Sequence, residues 1–383
     1  MDAEQKPESR SKGLTRREKL ASGIYHSGLL ATLRGVARGW ELCGSAAPFL
    51  TPRPAEPRFA ILCYHRVGIE GVPLYSTLEP RIFESQMQYL RRHYRVLSLT
   101  QMLEELESPA SAKPAVSVTF DDGYRDLFVH AFPILRKYEI PATIFAIVDA
   151  VETEKAPWYD RIFLGLYVYS GRSITVDLDV LTEFRLENAT ARLVAAEAIV
   201  RWLRMQPDSK RRDFCSDLSG RLLVPEAELQ RRMLTWEQLR IMQAGGIACG
   251  SHTLTHPVLS QVNHEDRIRE LRESREILEM RLGQPIPYFA FPFGQPADCA
   301  GVTEMDLAAC GYRAALTMTA GINRQGINCY ALRRVSIGEQ SHLPLFAYWL
   351  NMLFLRAESS TSAPTPLSAS SMEVTAVTRG EGR

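Results

Sequence analysis

From Phe59 onward, short runs of apolar residues alternate with longer segments that have the spacing of helices. Seven of these runs are continuous rather than alternating, which is typical of parallel strands buried on both faces of a sheet. The predicted strands are FAILCYHRV (59–67), VSVTFDD (116–122), ATIFAIV (142–148), GIACGSHT (246–253), YFAFPFG (288–294), AALTMT (314–319) and LRRVSI (332–337). With helices between them, they predict an α/β fold whose sheet curls into an incomplete barrel of parallel strands.

Two of the intervening segments carry an apolar face at helical spacing. The first holds Phe83, Met87 and Leu90. The second begins after Asn263, a residue type that often caps helix N-termini. Its apolar residues are Ile268, Leu271, Leu278 and Leu282.

Residues 155 to about 235 separate two predicted strands by far more than an ordinary crossover connection. The segment is mostly helical in pattern, and its clearest helix is TARLVAAEAIVRWLRM (190–205). We therefore expect a helical insertion, and a lid over the strand ends is one role that it could have.

The N-terminal part of the chain has a different pattern. Between residues 16 and 40, five apolar residues fall on one helical face and five basic residues surround them: Tyr25, Leu29, Leu33, Val36 and Trp40, with Arg16, Arg17, Lys19, Arg34 and Arg38. Such a helix can lie on an anionic membrane surface, pack on its own domain or mediate dimerisation. All three roles stay open at this point.

These patterns divide the chain into four parts. Residues 1–57 are predicted to form the basic amphipathic segment and a linker, and residues 58–340 the main domain with its insertion. A C-terminal helix is predicted over 341–357. The tail 358–383 is expected to be disordered, because it has too few large apolar residues to offset the entropy of ordering.

Composition narrows the classes of function. The formal net charge of +1 over 383 residues gives no reason to expect nucleic acid as a partner, because nucleic-acid-binding domains are usually strongly basic. The seven cysteines form no CxxC pair, and we interpret them as buried thiols in a reducing compartment. The N-terminus lacks the apolar stretch of a secretory signal. We therefore expect a cytoplasmic protein, with residues 16–40 as a candidate peripheral contact at the inner face of the membrane.

Two predicted strands end in polar residues that are suited to catalysis. Asp121 and Asp122 follow VSVTF, and His252 and His256 follow GIACGS. Asp and Gly also occur in ordinary turns, and lone histidines are often structural. The carboxyl ends of parallel strands, however, are where barrels and open α/β sheets hold their sites. Two histidines four residues apart, with a carboxylate from another strand end, form a donor set for a metal.

The motifs TFDDG (119–123) and SHTLTHP (251–257) resemble the first two motifs of the polysaccharide deacetylases, the NodB-homology group or carbohydrate esterase family 4. The resemblance covers residues 59 to 340 and implies a NodB-type distorted (β/α) barrel of seven or so parallel strands. It also implies that Asp121 is the general base. Asp122, His252 and His256 would hold a divalent metal, usually Zn²⁺, with Co²⁺ or Ni²⁺ as alternatives.

A third motif matches less completely. FAFPFG (289–294) resembles the family's third motif, which implies that the backbone N–H of Phe293 stabilises the developing oxyanion. The more typical motif has an Arg two residues before its proline, and this chain has Ala290 there. Since that Arg orients the catalytic base, we expect Arg333 or Arg334, on a late strand, to replace it.

The general acid is a second departure from the family pattern. The family's last motif supplies a histidine in an L-x-x-H pattern after a late strand, and LRRVSI (332–337) contains none. His342 follows shortly afterwards and is the predicted acid. His65, at the end of the first strand, is the alternative.

The motifs together predict a hydrolase of carbon–nitrogen bonds other than peptide bonds. The expected reaction is metal-dependent removal of acetyl from an N-acetylated sugar, with an oligosaccharide, a polysaccharide or a lipid- or nucleotide-linked precursor as substrate. Two alternatives stay open. One is hydrolysis of another linear or cyclic amide on the same fold, and the other is a carbohydrate-binding or scaffold relative without catalysis.

Overall fold

The computed structural model describes residues 57–69, 77–108, 111, 113–153, 156–223, 232–338 and 341–359. The predicted amphipathic segment (16–40) and the tail after residue 359 lie outside these ranges.

A curled parallel sheet forms the centre of the molecule. The strands found in the described residues are β1 (Phe59–Tyr64), β2 (Arg66–Val67), β3 (Thr77–Leu78), β4 (Arg95–Val96), β5 (Ala115–Phe120), β6 (Ala142–Ala146), β7 (Ser173–Asp177), β8 (Leu181–Arg185), β9 (Ile247–Ser251), β10 (Tyr288–Ala290), β11 (Ala314–Leu316) and β12 (Val335–Ser336). The main sheet has the order β11-β10-β9-β6-β5-β1-β12, and β4 also pairs with β5. All seven predicted strands are therefore confirmed.

The central strands are buried on both faces, as their continuous apolar runs require. Every residue of β1, β5 and β6 is buried. The segment before β12 also bonds to β11, because Leu332 N donates to Ala315 O at 3.0 Å and Thr317 N donates to Leu332 O at 2.8 Å. These bonds bring the two edges of the sheet together and confirm the distorted barrel.

α-Helices lie between most of the strands. Those in the described residues are α1 (Pro80–His93), α2 (Leu99–Glu107), α3 (Phe132–Lys137), α4 (Val148–Thr153), α5 (Trp158–Val168), α6 (Ala189–Leu203), α7 (Asp208–Leu222), α8 (Trp236–Ala244), α9 (His264–Leu282), α10 (Glu304–Ala309) and α11 (Leu343–Ser359). The cap predicted at Asn263 is confirmed, since its side chain accepts a hydrogen bond from Asp266 N in the first turn of α9.

The insertion between β6 and β9 has its own apolar core. Helices α5, α6 and α7 pack around it, and Phe293 of the main domain contacts it. The prediction of a mostly helical segment missed the antiparallel hairpin β7–β8. The strand SITVD buries Ile174 and Val176 and exposes the residues between them, a two-residue period that distinguishes a strand from a helix.

The described residues contain no helix that is both long and apolar enough to cross a membrane. The six cysteines within the same ranges are free thiols, and three of them, Cys63, Cys249 and Cys310, are buried as predicted. The prediction is wrong for Cys215, Cys299 and Cys329, which are only half-buried.

Candidate active site

Asp121 and Asp122 lie at the carboxyl end of β5, where the strand turns away from the sheet. Asp121 N still donates to Tyr64 O at 3.0 Å, which extends the β1–β5 ladder by one bond. Asp122 has φ of 70° and the next residue, Gly123, has φ of 84°. This left-handed turn explains why a carboxylate pair can follow a buried strand directly. Both side chains are buried, at 2% and 4% exposure.

His252 and His256 follow β9, the second strand along the sheet from β5. His252 N donates to Ala146 O at 3.0 Å and continues the β6–β9 ladder. The two histidines do not lie on a regular helical turn, because Thr253 and His256 have φ of 70° and 58°. Thr253 Oγ1 instead accepts a hydrogen bond from His256 N at 3.0 Å. This tight turn brings the imidazole rings to a centroid distance of 4.9 Å.

Glu270 of α9 holds this turn from outside the sheet, and nothing in the motif itself indicates its role. One carboxylate oxygen accepts from Leu254 N at 2.8 Å and from Thr255 N at 3.0 Å. The other accepts from Thr255 Oγ1 at 2.8 Å. Burial raises the pKa of Glu270, and these donors act in the opposite direction.

Asp122, His252 and His256 present one ligand atom each to a common point. Asp122 Oδ1 lies 3.4 Å from His252 Nε2 and 3.5 Å from His256 Nε2. Ligands bound at about 2.1 Å to one ion lie roughly 3.0–3.4 Å apart, so the spacing fits a metal. His252 Nδ1 lies 2.7 Å from Ala290 O, a contact in which the nitrogen donates; in the neutral imidazole this leaves Nε2 free to bind a cation. The residues therefore fit a divalent metal such as zinc.

Arg334 forms a buried ion pair with Asp121. Its Nη1 lies 2.7 Å from Asp121 Oδ1, and the arginine side chain is fully buried. Burial alone would raise the pKa of Asp121, but the charges of Arg334 and His252 more than offset it, and the pKa is lowered. Arg333 is half-buried and packs beside Gly321 instead. Of the two arginines proposed from the sequence, the structure places Arg334 on the predicted base.

The two candidate acids occupy different places. His65 lies beside Asp121, since a ring nitrogen of His65, a carboxylate oxygen of Asp121 and Cys63 Sγ are all within 4.8 Å of one another. His342 immediately precedes α11, and its backbone carbonyl accepts from Phe346 N. Among the described residues, His342 Nδ1 has no hydrogen-bond partner, and no hydrogen bond or ion pair joins His342 to Asp121 or to the predicted metal ligands. The structure thus brings His65 into the site and gives no such placement to His342.

The insertion covers the site through α5. Trp158 Nε1 donates to His256 O at 3.0 Å, and the Tyr159 ring lies 4.9 Å from the His256 ring. Phe293, at φ of 57°, also packs its ring edge-to-face against His256, with the ring centroids 4.9 Å apart. Arg204 lies over Phe293 at 4.3 Å. The predicted ligands and base are consequently almost inaccessible to solvent.

Asp160 is a buried carboxyl group of α5 that the sequence analysis did not single out. Burial, with a contribution from nearby Asp122, raises its pKa to about 7, although Arg66 acts in the opposite direction. The available signal was one acidic residue inside the apolar stretch WYDRIF (158–163).

Comparison with known proteins agrees with this geometry. The family model for polysaccharide deacetylases matches residues 108–315, which is more than half of the chain. The protein belongs to the polysaccharide deacetylase family, and it is a hydrolase of carbon–nitrogen bonds other than peptide bonds.

Individual members of the family share little sequence identity with this chain. YxkH of Bacillus subtilis (strain 168), named as a polysaccharide deacetylase, is 23% identical over 294 residues, which cover 75% of this chain and 73% of YxkH. The poly-β-1,6-N-acetyl-D-glucosamine N-deacetylase of Staphylococcus epidermidis is 34% identical over 85 residues, which cover 22% of this chain and only 29% of that enzyme. The solved structure of the Streptococcus pyogenes deacetylase PplD in complex with acetate is 20% identical, with a TM-score of 0.52, and the match covers 78% of this chain and 99% of PplD. At that identity, the structural match supports the fold.

Proposed function

We propose that this protein is a metal-dependent deacetylase that hydrolyses the N-acetyl amide of an N-acetylated sugar and releases acetate. The observation that carries the proposal is the buried Asp121–Arg334 pair beside the converging atoms of Asp122, His252 and His256. It combines a carboxylate held in its ionised form with a donor set for a divalent cation, and these are the two functions that metal-assisted amide hydrolysis uses.

Each residue has a distinct role in the proposed reaction. Asp122, His252 and His256 would hold the cation, for which Zn²⁺, Co²⁺ and Ni²⁺ are the candidates. Lewis-acid activation of water and of the acetyl carbonyl is the chemistry that such a cation supplies when bound. Asp121 accepts the proton of the attacking water, and Arg334 keeps the carboxylate ionised and oriented. The backbone N–H of Phe293 is the proposed donor to the developing oxyanion.

The substrate class rests on the family and on one partial relative. The Staphylococcus epidermidis enzyme is named for a polymer of N-acetylglucosamine, which supports an N-acetylated glycan as the substrate here. We propose an oligosaccharide, a polysaccharide or a lipid- or nucleotide-linked precursor, processed in the cytoplasm or at the inner face of the membrane.

Acetate release tests the proposal directly. Zinc-loaded protein is incubated with a panel of N-acetylated oligosaccharides and lipid- or nucleotide-linked sugars, and acetate is measured enzymatically. Release from at least one glycan, and none from the Asp121→Asn protein, is the expected result. Release only from a non-sugar amide would favour an amidohydrolase of other substrates. Glycan binding with no release from any compound would favour a carbohydrate-binding relative.

The general acid is tested by comparing His65→Ala, His342→Ala and Asp160→Asn. The leaving amine must be protonated as the carbon–nitrogen bond breaks, and such catalysis contributes roughly a hundred- to ten-thousand-fold. Because His65 lies beside Asp121, we expect His65→Ala to lose about that factor and to retain the metal held by Asp122, His252 and His256. His342→Ala is the matched control and should change little. A large loss confined to Asp160→Asn would instead identify a group of the insertion as the acid.

Substrate entry requires movement of the insertion, because the catalytic groups are covered. Arg204 of the insertion bonds to Asp298 at 2.9 Å and lies over the Phe293 ring, so it fastens the cover to the loop after β10. Both contacts are partly exposed and together stabilise the closed insertion by about 1 kcal/mol. Their loss should raise the equilibrium constant for opening roughly fivefold. We expect Arg204→Ala to accelerate hydrogen exchange across α5 by that factor. Arg201→Ala, an exposed arginine of the same helix, is the control; equal acceleration in both variants would contradict the lid.

The basic amphipathic segment is proposed to bind the membrane. If residues 16–40 lie on an anionic surface, their deletion should abolish sedimentation with anionic vesicles. Added salt should weaken binding of the full chain, since it screens the Arg and Lys charges. A full-length protein that stays in the supernatant at low salt would contradict this role and favour packing on the domain.

A further inference from the structure

A second cluster of ligand atoms lies next to the predicted metal triad and is not used by it. Cys63 Sγ, a ring nitrogen of His65 and a carboxylate oxygen of Asp121 are mutually within 4.8 Å. The strand register explains the cluster. Cys63 pairs with Thr119 across β1 and β5, so Cys63 and Asp121, two residues beyond Thr119, share one face of the sheet. His65 lies two residues after Cys63 and falls on the same face.

We propose that Cys63, His65 and Asp121 form a second, inhibitory zinc site, which binds zinc when more than one zinc ion is present per chain. Cys63 Sγ lies 3.5 Å from Asp121 Oδ2. A thiolate at about 2.3 Å and a carboxylate oxygen at about 2.1 Å from one tetrahedral zinc ion lie roughly 3.6 Å apart. The thiol donates a hydrogen bond to the carboxylate across this separation, and the same separation matches that of two ligands of one ion.

The two oxygens of Asp121 are divided between different partners, so the second ion need not break the ion pair. Arg334 Nη1 contacts Oδ1 at 2.7 Å, whereas Cys63 Sγ faces Oδ2. Burial raises the pKa of the Cys63 thiol, so the incoming zinc must displace its proton, which passes to the buffer as a sulfur–zinc bond replaces the sulfur–hydrogen bond. The thiolate and the Asp121 carboxylate then place two negative charges next to the ion, with His65 as a neutral ligand.

Two features make this site weaker than the first. The Arg334 guanidinium lies next to the ion, and a cation on Asp122, His252 and His256 would be a near neighbour, since Asp121 Oδ2 is only 3.9 Å from His252 Nε2. Like charges at such distances oppose each other. We therefore expect zinc to fill the site of Asp122, His252 and His256 first and the Cys63 site second.

Occupation of the second site would block proton transfer. Asp121 is the proposed base and His65 a candidate acid, so this consequence rests on the proposed function. Zinc binding at Cys63 does not depend on that function, and it can be tested without any substrate.

Cobalt is the probe for the site, because a cobalt–thiolate bond gives a charge-transfer band in the near ultraviolet. Metal-free full-length protein is titrated with Co²⁺ while absorbance and bound metal are measured. The first equivalent should bind without the band, and the second should produce it. Cys63→Ser should lose the band, and Cys249→Ser, which changes another buried cysteine of the same sheet, should keep it. Absence of the band in the unmodified protein at several equivalents, or its survival in Cys63→Ser, would overturn the proposal.

Zinc inhibition provides the second readout. Acetate release by the unmodified protein should fall as zinc exceeds one equivalent and recover in a zinc buffer. In Cys63→Ser, compared with its own maximum, the inhibiting zinc concentration should rise by roughly ten- to a hundred-fold or more. A cobalt band at the second equivalent in a protein that is inactive on every glycan would support the site and contradict the proposed function. Acetate release with one bound metal ion, without the cobalt band and without zinc inhibition, would support the proposed function and contradict the second site.

Discussion

Asp121→Asn should abolish turnover while the protein keeps the metal of the first site, whereas Asp122→Asn should lose both. Asp121 contacts Arg334 and would act as the base, and removal of a general base costs roughly a hundred- to ten-thousand-fold in rate. Asp122 Oδ1 lies within 3.5 Å of both histidine Nε2 atoms, so its neutralisation removes the only anionic ligand of the triad. The measurements are acetate release and elemental analysis of metal per chain.

The two substitutions are controls for each other. They are adjacent, chemically identical and both at buried positions, so a general loss of folding would affect both in a similar way. Equal loss of metal in the two variants would show that the roles of base and ligand are wrongly divided.

Arg334→Ala should be the most damaging change outside the predicted ligands and base. It leaves the buried Asp121 carboxylate without its counter-charge, which typically destabilises the fold by about 3–5 kcal/mol. The pKa of Asp121 should rise, because burial continues to favour the neutral acid and the main charge that lowers the pKa is gone. The acid limb of the rate profile should therefore move to higher pH. Thermal unfolding and a pH–rate profile measure the two effects.

The neighbouring Arg333 supplies the matched control. Arg333→Ala removes the same charge one residue earlier, from a half-buried side chain, and should change neither the pH profile nor the metal content. Arg334→Lys should recover little, because an ammonium cannot reproduce the two-sided contact of the guanidinium with Asp121 Oδ1 and Thr317 O. Equal effects of the two alanine variants would contradict a specific role for Arg334.

A second substitution at position 290 tests whether Arg334 compensates for the absence of an arginine there. Ala290 is fully buried in the same cluster as Phe145, and the Arg334 guanidinium lies over the Phe145 ring at 5.8 Å. In the proposed site, Arg334, which immediately precedes β12, takes the place of the arginine that the third motif lacks. Placing Arg at position 290 in the Arg334→Ala protein should restore part of the activity.

The strands and the first two motifs could be predicted from the sequence for a definite physical reason. Parallel strands buried on both faces must be continuously apolar, so β1, β5 and β6 are recognisable without any partner. Polar residues that end two such strands must then meet at one edge. The convergence of Asp122 with His252 and His256 follows from these local patterns.

The other features of the site depend on contacts between distant parts of the chain, which the sequence alone does not reveal. Arg333 and Arg334 are equivalent in sequence, and only the pairing of their segment with β11 determines which side chain enters the barrel. Glu270 reaches the His252–His256 turn from a separate helix, and no local pattern indicates that contact. The cover over the site depends on how α5 docks, which the helical period of the insertion does not specify.

Titration of metal-free protein with zinc, with acetate release measured at each addition, tests the central claim most directly. The account predicts no release in the absence of metal, a linear rise to a maximum at one zinc ion per chain, and no rise at any ratio in the Asp122→Asn protein. Full acetate release by metal-free protein in the presence of a chelator would contradict it.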